Sequence, residues 1–306
     1  MELHSADIDA GFEQVRRERA LQKRMGDVRN PDFWRALNPE LTITDFPLAR
    51  IRARETPTAG QCETARQRLL TDGYLQLPPL VPRDEVLRLG AGVERLVAER
   101  LPPSLIAVYD EAYSIFSGLE SVFVPLLGAG YIWITQGVGA FHVPAGEDGR
   151  ALWSASSPHR DRMGPDARTI AGDVPSILTV WIPLTDVTTE HSCLYCLPAS
   201  CDPDFHKPER DAGRRVRLQD VRALPAPAGS VLAWSSHLLH WGSRSSRFAP
   251  TSRMSISMYF QRRDVPLWHP FHIDPVQPCT FQERLTWIDH SMARPGLLGG
   301  VTVEGA

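Results

Sequence analysis

The sequence has no apolar run long enough to span a bilayer. Its longest nearly apolar stretch, Ser121 to Ile134, falls short of the ~20 residues a crossing helix needs and is broken by Pro125, Gly128 and Gly130. The opening residues, Met1-Glu2-Leu3-His4-Ser5-Ala6-Asp7, carry neither a basic region nor an apolar core; no secretory signal is visible, and a cytoplasmic protein is expected. Charge of either sign is not in excess: the net value of −3 gives no bulk electrostatic case for nucleic acid or an anionic membrane as partner. Cysteine is scarce, and five residues, an odd number, suit reduced thiols better than a disulfide framework. No internal repeat or low-complexity tract stands out, so nothing points to a repeat architecture.

Cys193-Leu194-Tyr195-Cys196 does have C-x-x-C spacing, with Cys201, His191 and His206 nearby as conceivable zinc ligands. Residues 193–197 read as a strand, however, and positions three apart on a strand face opposite ways. Partly buried structural thiols are the expected role.

What is present is a globular balance, 42% apolar and 23% charged over 306 residues, enough for one large domain or two ordinary ones. Residues 1–57 read as an arm. It begins with a segment in which Ile8, Phe12 and Val15 recur at helical spacing and continues irregularly, with Phe33-Trp34 as an anchor. A helix is expected from Gln61 to Thr71, stopped by Asp72-Gly73, then a short strand at Tyr74-Leu75-Gln76-Leu77. After Pro82 comes a second helix, with Asp84 and Glu85 near its start and one stripe of Val86, Leu89, Val93, Leu96 and Val97 that should pack on a sheet. A further helical region is expected over Ser104 to Ser117.

From Tyr131 to about Phe260 the pattern changes to short strand-like runs broken by Gly, Pro and Asp, which indicates an all-β body, a sandwich or a jelly roll. Ile177 to Leu184 is the clearest strand: Leu178, Val180, Ile182 and Leu184 share one face, Thr179 and Trp181 the other, as a pocket lining would. Residues 253–260 divide the same way, Met254, Ile256, Met258 and Phe260 against Arg253, Ser255, Ser257 and Tyr259. A face of Arg, Ser, Ser and Tyr is not building a dry core. The tail from Asp264 carries a helix around Glu283 to Met292 and is long enough to fold over a pocket mouth or to cover a sheet edge.

The stretch that carries chemistry is Pro158-His159-Arg160-Asp161. His-x-Asp spacing sets an imidazole and a carboxylate on one side of an extended backbone, and His240, far along the chain, is a third candidate ligand. Two imidazoles and a carboxylate with open positions suit a non-heme Fe(II) site; the bland alternative is a solvated turn with a charge pair. His237 competes with His240; on a strand the two would face opposite ways, and the spacing from Gly229 and the distance to Arg253 favour His240. His272-Ile273-Asp274 repeats the His-x-Asp spacing but reads as a turn between Pro270 and Pro275. Arg160, Arg162 and Arg168 read either as a patch greeting an acidic substrate group or as a solvated basic rim.

Asp72-Gly73-Tyr74, His159-x-Asp161, Val180-Trp181-Ile182-Pro183-Leu184-Thr185-Asp186-Val187, Cys193-Leu194 with Leu197-Pro198-Ala199-Ser200, and Gly229-Ser230-Val231 leading to His240 come in the order of the blocks of the phytanoyl-CoA dioxygenase-like (PhyH) family, which the chain resembles over about Gln61 to Phe260. The resemblance implies a mainly β fold with flanking helices: a double-stranded β-helix (jelly-roll, cupin-like) core under an α-helical N-terminal layer. Residues 1–57 would be the arm, 58–263 the oxygenase domain and 264–306 an extension packing on the core or the pocket mouth. It implies Fe(II) held by His159, Asp161 and His240, with 2-oxoglutarate as cosubstrate and dioxygen as oxidant. Arg253 would pair with the far carboxylate of 2-oxoglutarate, with Thr179, Trp181, Ser255 and Gln136 lining that pocket.

The implied activity is oxidation, most simply hydroxylation, of an unactivated C–H bond in a small molecule, releasing succinate and CO2. Secondary or amino-acid metabolism is the expected setting, and a CoA thioester is the alternative substrate. Relatives that halogenate commonly lack the carboxylate ligand, so Asp161 argues for another oxidative outcome. Departures from the family pattern are His191-Ser192, where Asn-Gly is usual, and Ala199-Ser200-Cys201, where Gly-Ser-His is usual. Two other readings stay open: a cupin-like metalloenzyme that does not use 2-oxoglutarate, and a non-catalytic jelly-roll binding module. No nucleic acid or membrane partner is expected.

Overall fold

A computed structural model describes residues 29–45, 56–146, 158–161, 175–206, 216–268, 272–273 and 279–292, without the side chains of 135–137 and 287–292. The expected helix on Ile8, Phe12 and Val15 lies outside them, as do Arg162 and Arg168. Helix α1, Pro31–Leu37, is capped by Asn30, whose side chain accepts from Asp32 N at 2.9 Å. It buries Trp34 completely, and Tyr109 Oη donates to the Trp34 carbonyl at 2.7 Å. The Phe33-Trp34 pair is therefore an anchor. Helix α2, Ala59–Asp72, begins in a capping box made by Thr58 and Gln61 and stops at Gly73, whose φ of 80° a side chain would resist.

Strand β1, Tyr74–Pro79, follows, then α3, Arg83–Ala98, with Asp84 and Glu85 in its first turn and Val86, Leu89, Val93 and Leu96 buried. The helical region expected at 104–117 divides into a 3-10 turn, Pro103–Val108, and α4, Glu111–Ser117. Helix α5, Glu120–Leu127, has no counterpart in the sequence reading, because Pro125 lies inside it. Proline removes the bond to the carbonyl four residues back; that carbonyl, Ser121 O, has Cys62 Sγ 4.0 Å away.

The remaining strands are β2, Ile132–Val143; β3, Ile177–Pro183; β4, Leu194–Leu197; β5, Arg222–Leu224; β6, Ser230–Ser235; β7, Leu239–Gly242; β8, Arg253–Gln261; and β9, His272–Ile273. They form a six-stranded sheet in the order β1-β6-β3-β8-β2-β9 and a three-stranded sheet in the order β5-β4-β7, with antiparallel pairings throughout. The chain crosses between the sheets after β3, after β5, after β6 and after β7. This is the expected jelly roll with a helical layer on the larger sheet.

Period two divides that sheet into two environments. Leu178, Val180 and Ile182 of β3 and Met254, Ile256, Met258 and Phe260 of β8 enter one apolar core with the stripe of α3. Trp181, Leu232 and Trp234 face the other way and join Leu194 and Cys196 of the smaller sheet, with Cys193 just before it, in a second core. The two thiols are wholly buried rather than partly so, and burial raises both, Cys196 to about 12. All five cysteines are free.

His272-Ile273 departs from the expected turn. It is the edge strand β9, pairing with Ile134 and Trp133 of β2; Asp274 lies outside the described residues. Beyond it helix α6, Phe281–Met292, sends Phe281 and Leu285 into the first core. Its Arg284 is buried against Asp110, with Nη1 2.9 Å from Oδ1, and donates also to the carbonyls of Val108 and Thr44. Among the described residues of the tail, β9 covers an edge of the larger sheet. Among the described residues no helix is long and apolar enough to cross a membrane.

Candidate metal centre

His159 and His240 are neighbours because their backbones exchange two hydrogen bonds, each 3.0 Å, in an isolated antiparallel bridge beside β7. Their rings lie 4.4 Å apart between centroids. Asp161 Oδ1 is 3.8 Å from His159 Nε2 and 3.7 Å from His240 Nε2. Potential donor atoms from these three residues all fall within 4.8 Å of one another, and theirs is the one His, Cys, Asp and Glu grouping among the described residues that could hold a metal ion. Cys193, Cys196, Cys201, His191 and His206 form no such group.

The donors are oriented from behind. His240 Nδ1 donates to the Leu238 carbonyl at 3.0 Å, which leaves Nε2 as the acceptor facing Asp161. Burial lowers the pKa of His240, holding the ring neutral as a ligand must be. Asp161 Oδ2 accepts from Thr179 Oγ1 at 2.6 Å and from Trp234 Nε1 at 2.9 Å, so Oδ1 is the oxygen turned to the imidazoles. Trp234 was missing from the sequence reading. Its signal was parity: β6 pairs it with Thr179, hence on the same face.

That row runs on across the sheet, from Tyr74 through Trp234, Thr179, Tyr259 and Ile134 to His272. Tyr259 meets Trp268 edge-on, with centroids 5.2 Å apart. Gln261 holds the connecting loop, donating to Pro266 O at 2.7 Å and accepting from Trp268 N at 2.9 Å.

Arg253 opens β8 on the same face and is 2% exposed. Nη1 donates to Ser255 Oγ at 2.8 Å, Cζ lies 5.9 Å from the Trp181 ring, and buried Nε has no partner. No carboxylate among the described residues pairs with it, and burial pushes its pKa down to about 10, still a cation at neutral pH. A buried guanidinium with spare donors fits an incoming carboxylate. Trp181, two residues from Thr179 on β3, links Arg253 to the Asp161 end of the site. Gln136 lies on β2, and its side chain is outside the description. Arg244 and Arg247, in the loop between β7 and β8, are exposed.

Two expectations need correction. His237 is not on a strand with His240 but buried in the turn between β6 and β7, its ring 6.1 Å from Phe205. Arg160 is neither a substrate patch nor a solvated rim. Its side chain is 2% exposed and paired with Asp202 at 2.7 Å. At the family departure, Ser192 adopts a φ of 59°, the left-handed conformation that glycine takes at little cost. Its hydroxyl donates to the Ser243 carbonyl. Gly229 is required by space: a Cβ there would sit 2.3 Å from the Val81 carbonyl oxygen.

Residues 145–249 match the model of the family described as phytanoyl-CoA dioxygenase (PhyH). The family resemblance is borne out, over a narrower span than the motif blocks cover. No curated protein matches the chain. Among solved structures, the non-heme alpha-ketoglutarate-dependent carbocyclase SnoK from nogalamycin biosynthesis is 15% identical with a TM-score of 0.50, covering 74% of this chain and 100% of its own. The epimerase SnoN from the same biosynthesis is 17% identical at a TM-score of 0.44, covering 73% of this chain and 95% of its own. HygX from Streptomyces hygroscopicus, solved with nickel and 2-oxoglutarate bound, is 14% identical at 0.48, covering 70% and 91%. The likeness to SnoK shows the fold. The PhyH match and the His-Asp-His donor set indicate an enzyme of the iron- and 2-oxoglutarate-dependent oxygenase type.

Proposed function

We propose that the protein is an Fe(II)/2-oxoglutarate-dependent dioxygenase that hydroxylates an unactivated C–H bond of a small molecule of secondary or amino-acid metabolism. One observation carries the reading: a clustered pair of imidazoles and a carboxylate is hydrogen-bonded, through Asp161, to Thr179 and Trp234 on the sheet face that also carries a buried arginine, which has no carboxylate partner among the described residues. His159, Asp161 and His240 would hold the iron, and Arg253 the far carboxylate of 2-oxoglutarate. Bound iron, with 2-oxoglutarate and dioxygen, supplies the oxidation of the C–H bond while the cosubstrate leaves as succinate and CO2.

The chain's own part is placement. Leu238 O fixes the tautomer of His240; Thr179 and Trp234 occupy one oxygen of Asp161 so that the other stays free for the metal. Ser255 orients the Arg253 fork, and the Trp181 indole, 2% exposed, screens it from water. Screening strengthens each charge contact made there. The aromatic pair Tyr259 and Trp268, continuing the Thr179 row, is where a substrate would enter.

The test is anaerobic titration with Fe(II) and then 2-oxoglutarate. A weak visible charge-transfer band appearing only with both present is the expected result. Iron uptake with no such band, and with activity untouched by Arg253→Ala, would favour a cupin-like metalloenzyme. No metal uptake at all would leave a binding module.

A further inference from the structure

Arg160 stands between two proposed metal ligands and points away from both. On extended backbone His159 and Asp161 face one side, so the residue between them faces the other. Arg160 Nη1 donates to Asp202 Oδ2 at 2.7 Å and to the His237 carbonyl, and Nη2 is 3.3 Å from Asp202 Oδ1. Asp202 is 3% exposed at its side chain and also accepts from Asp204 N at 3.0 Å. The grip on His237 O matters because the next carbonyl, Leu238 O, orients His240. One guanidinium therefore fastens the His159-Asp161 strand to the turn that presents the third donor, and to the 3-10 segment Ala199–Cys201 that ends at Asp202.

We propose that the buried Arg160–Asp202 pair is a positioning device for the metal centre, setting the spacing of His159 and Asp161 against His240 and thereby metal affinity. The inference rests on the metal reading above. Two physical arguments support it. Among the described residues the backbone link between the two halves of the site is one bridge of two hydrogen bonds, too little to fix the ligand angles alone. A buried ion pair, moreover, is weak as a stabiliser: well-packed apolar residues of similar volume often do as well or better, so its contribution is to geometry. Asp202 has a second effect, since it neutralises a cation, adjacent in the chain to two of the ligands, that would otherwise repel a divalent ion.

The experiment compares Co(II) affinity, followed by the visible band of the bound ion, with the melting temperature of metal-free protein. The double variant Arg160→Met with Asp202→Leu should keep its melting temperature yet bind Co(II) about 10- to 100-fold more weakly, the usual effect of disturbing groups that orient ligands. Arg160→Lys keeps the charge and loses the fork; it should weaken Co(II) binding in the same direction and decides the matter should the double variant not fold. Arg83→Met, which breaks an exposed pair with Asp186, should leave Co(II) affinity unchanged. Unchanged affinity in the folded Arg160 variants, or a loss that Arg83→Met reproduces, would overturn the proposal. Failure of the unaltered chain to bind Co(II) or Fe(II) would overturn the metal reading itself, and this inference with it.

Discussion

Two arginines lie equally deep in this protein, and their surroundings are opposite. Arg284, with no side-chain exposure, is met by the Asp110 carboxylate and by the carbonyls of Val108 and Thr44, while Asp110 also accepts from Thr44 N and Oγ1. Arg253, 2% exposed, is met among the described residues by one hydroxyl. A buried cation answered by an internal carboxylate ties the tail helix to the arm and the layer beneath it. A buried cation left unanswered costs folding free energy and is retained where an anion arrives from outside.

Substitution should separate the two. Arg284→Met leaves Asp110 charged and uncompensated in the core, and is expected to cost ~3–5 kcal/mol in urea unfolding. A loss no larger than that of an exposed pair would break the comparison. Arg253→Met should act on the ligand instead: 2-oxoglutarate affinity falls by roughly 30-fold or more, the equivalent of ~2–5 kcal/mol for losing one member of a buried charged pair, while metal stays bound. The same substitution should make the ligand-free protein no less stable, and up to ~2 kcal/mol more so. The sign follows from the depressed pKa: the penalty for the buried charge is fully present at neutral pH and is relieved only as pH rises past about 10. The smallest effect is expected at Trp234→Phe. It deletes one of the two donors on Asp161 Oδ2 and should weaken Co(II) binding about 10-fold, with Thr179 holding the other.

Periodicity made much of this fold legible, because the larger sheet has two faces that differ chemically. Residues 177–184 and 253–260 sorted into aliphatic and polar sets, and those sets now lie in different environments. What pattern could not convey was exception and partnership. Helix α5 was hidden by Pro125, and β9 by flanking prolines that outweighed two residues of pairing. The burial of Arg160 depends on Asp202, 42 positions along the chain, a partner no local rule names. His240 was preferred over His237 on spacing, yet the strand argument used for it does not apply, since His237 sits in a turn. Trp234 was recoverable in principle, once β6 and β3 were known to pair with Thr179 opposite it.

The two-residue strand β9 has a further consequence. By pairing with Trp133 and Ile134 it closes part of the outer border of the larger sheet, next to a row of side chains that reaches Thr179, the residue bonded to Asp161. A molecule shortened ahead of His272 would present those main-chain groups to whatever extended segment came by, another copy included. Such a truncation would turn the sheet's rim into an adhesive seam, and the damage would register as clumping before any chemistry was lost.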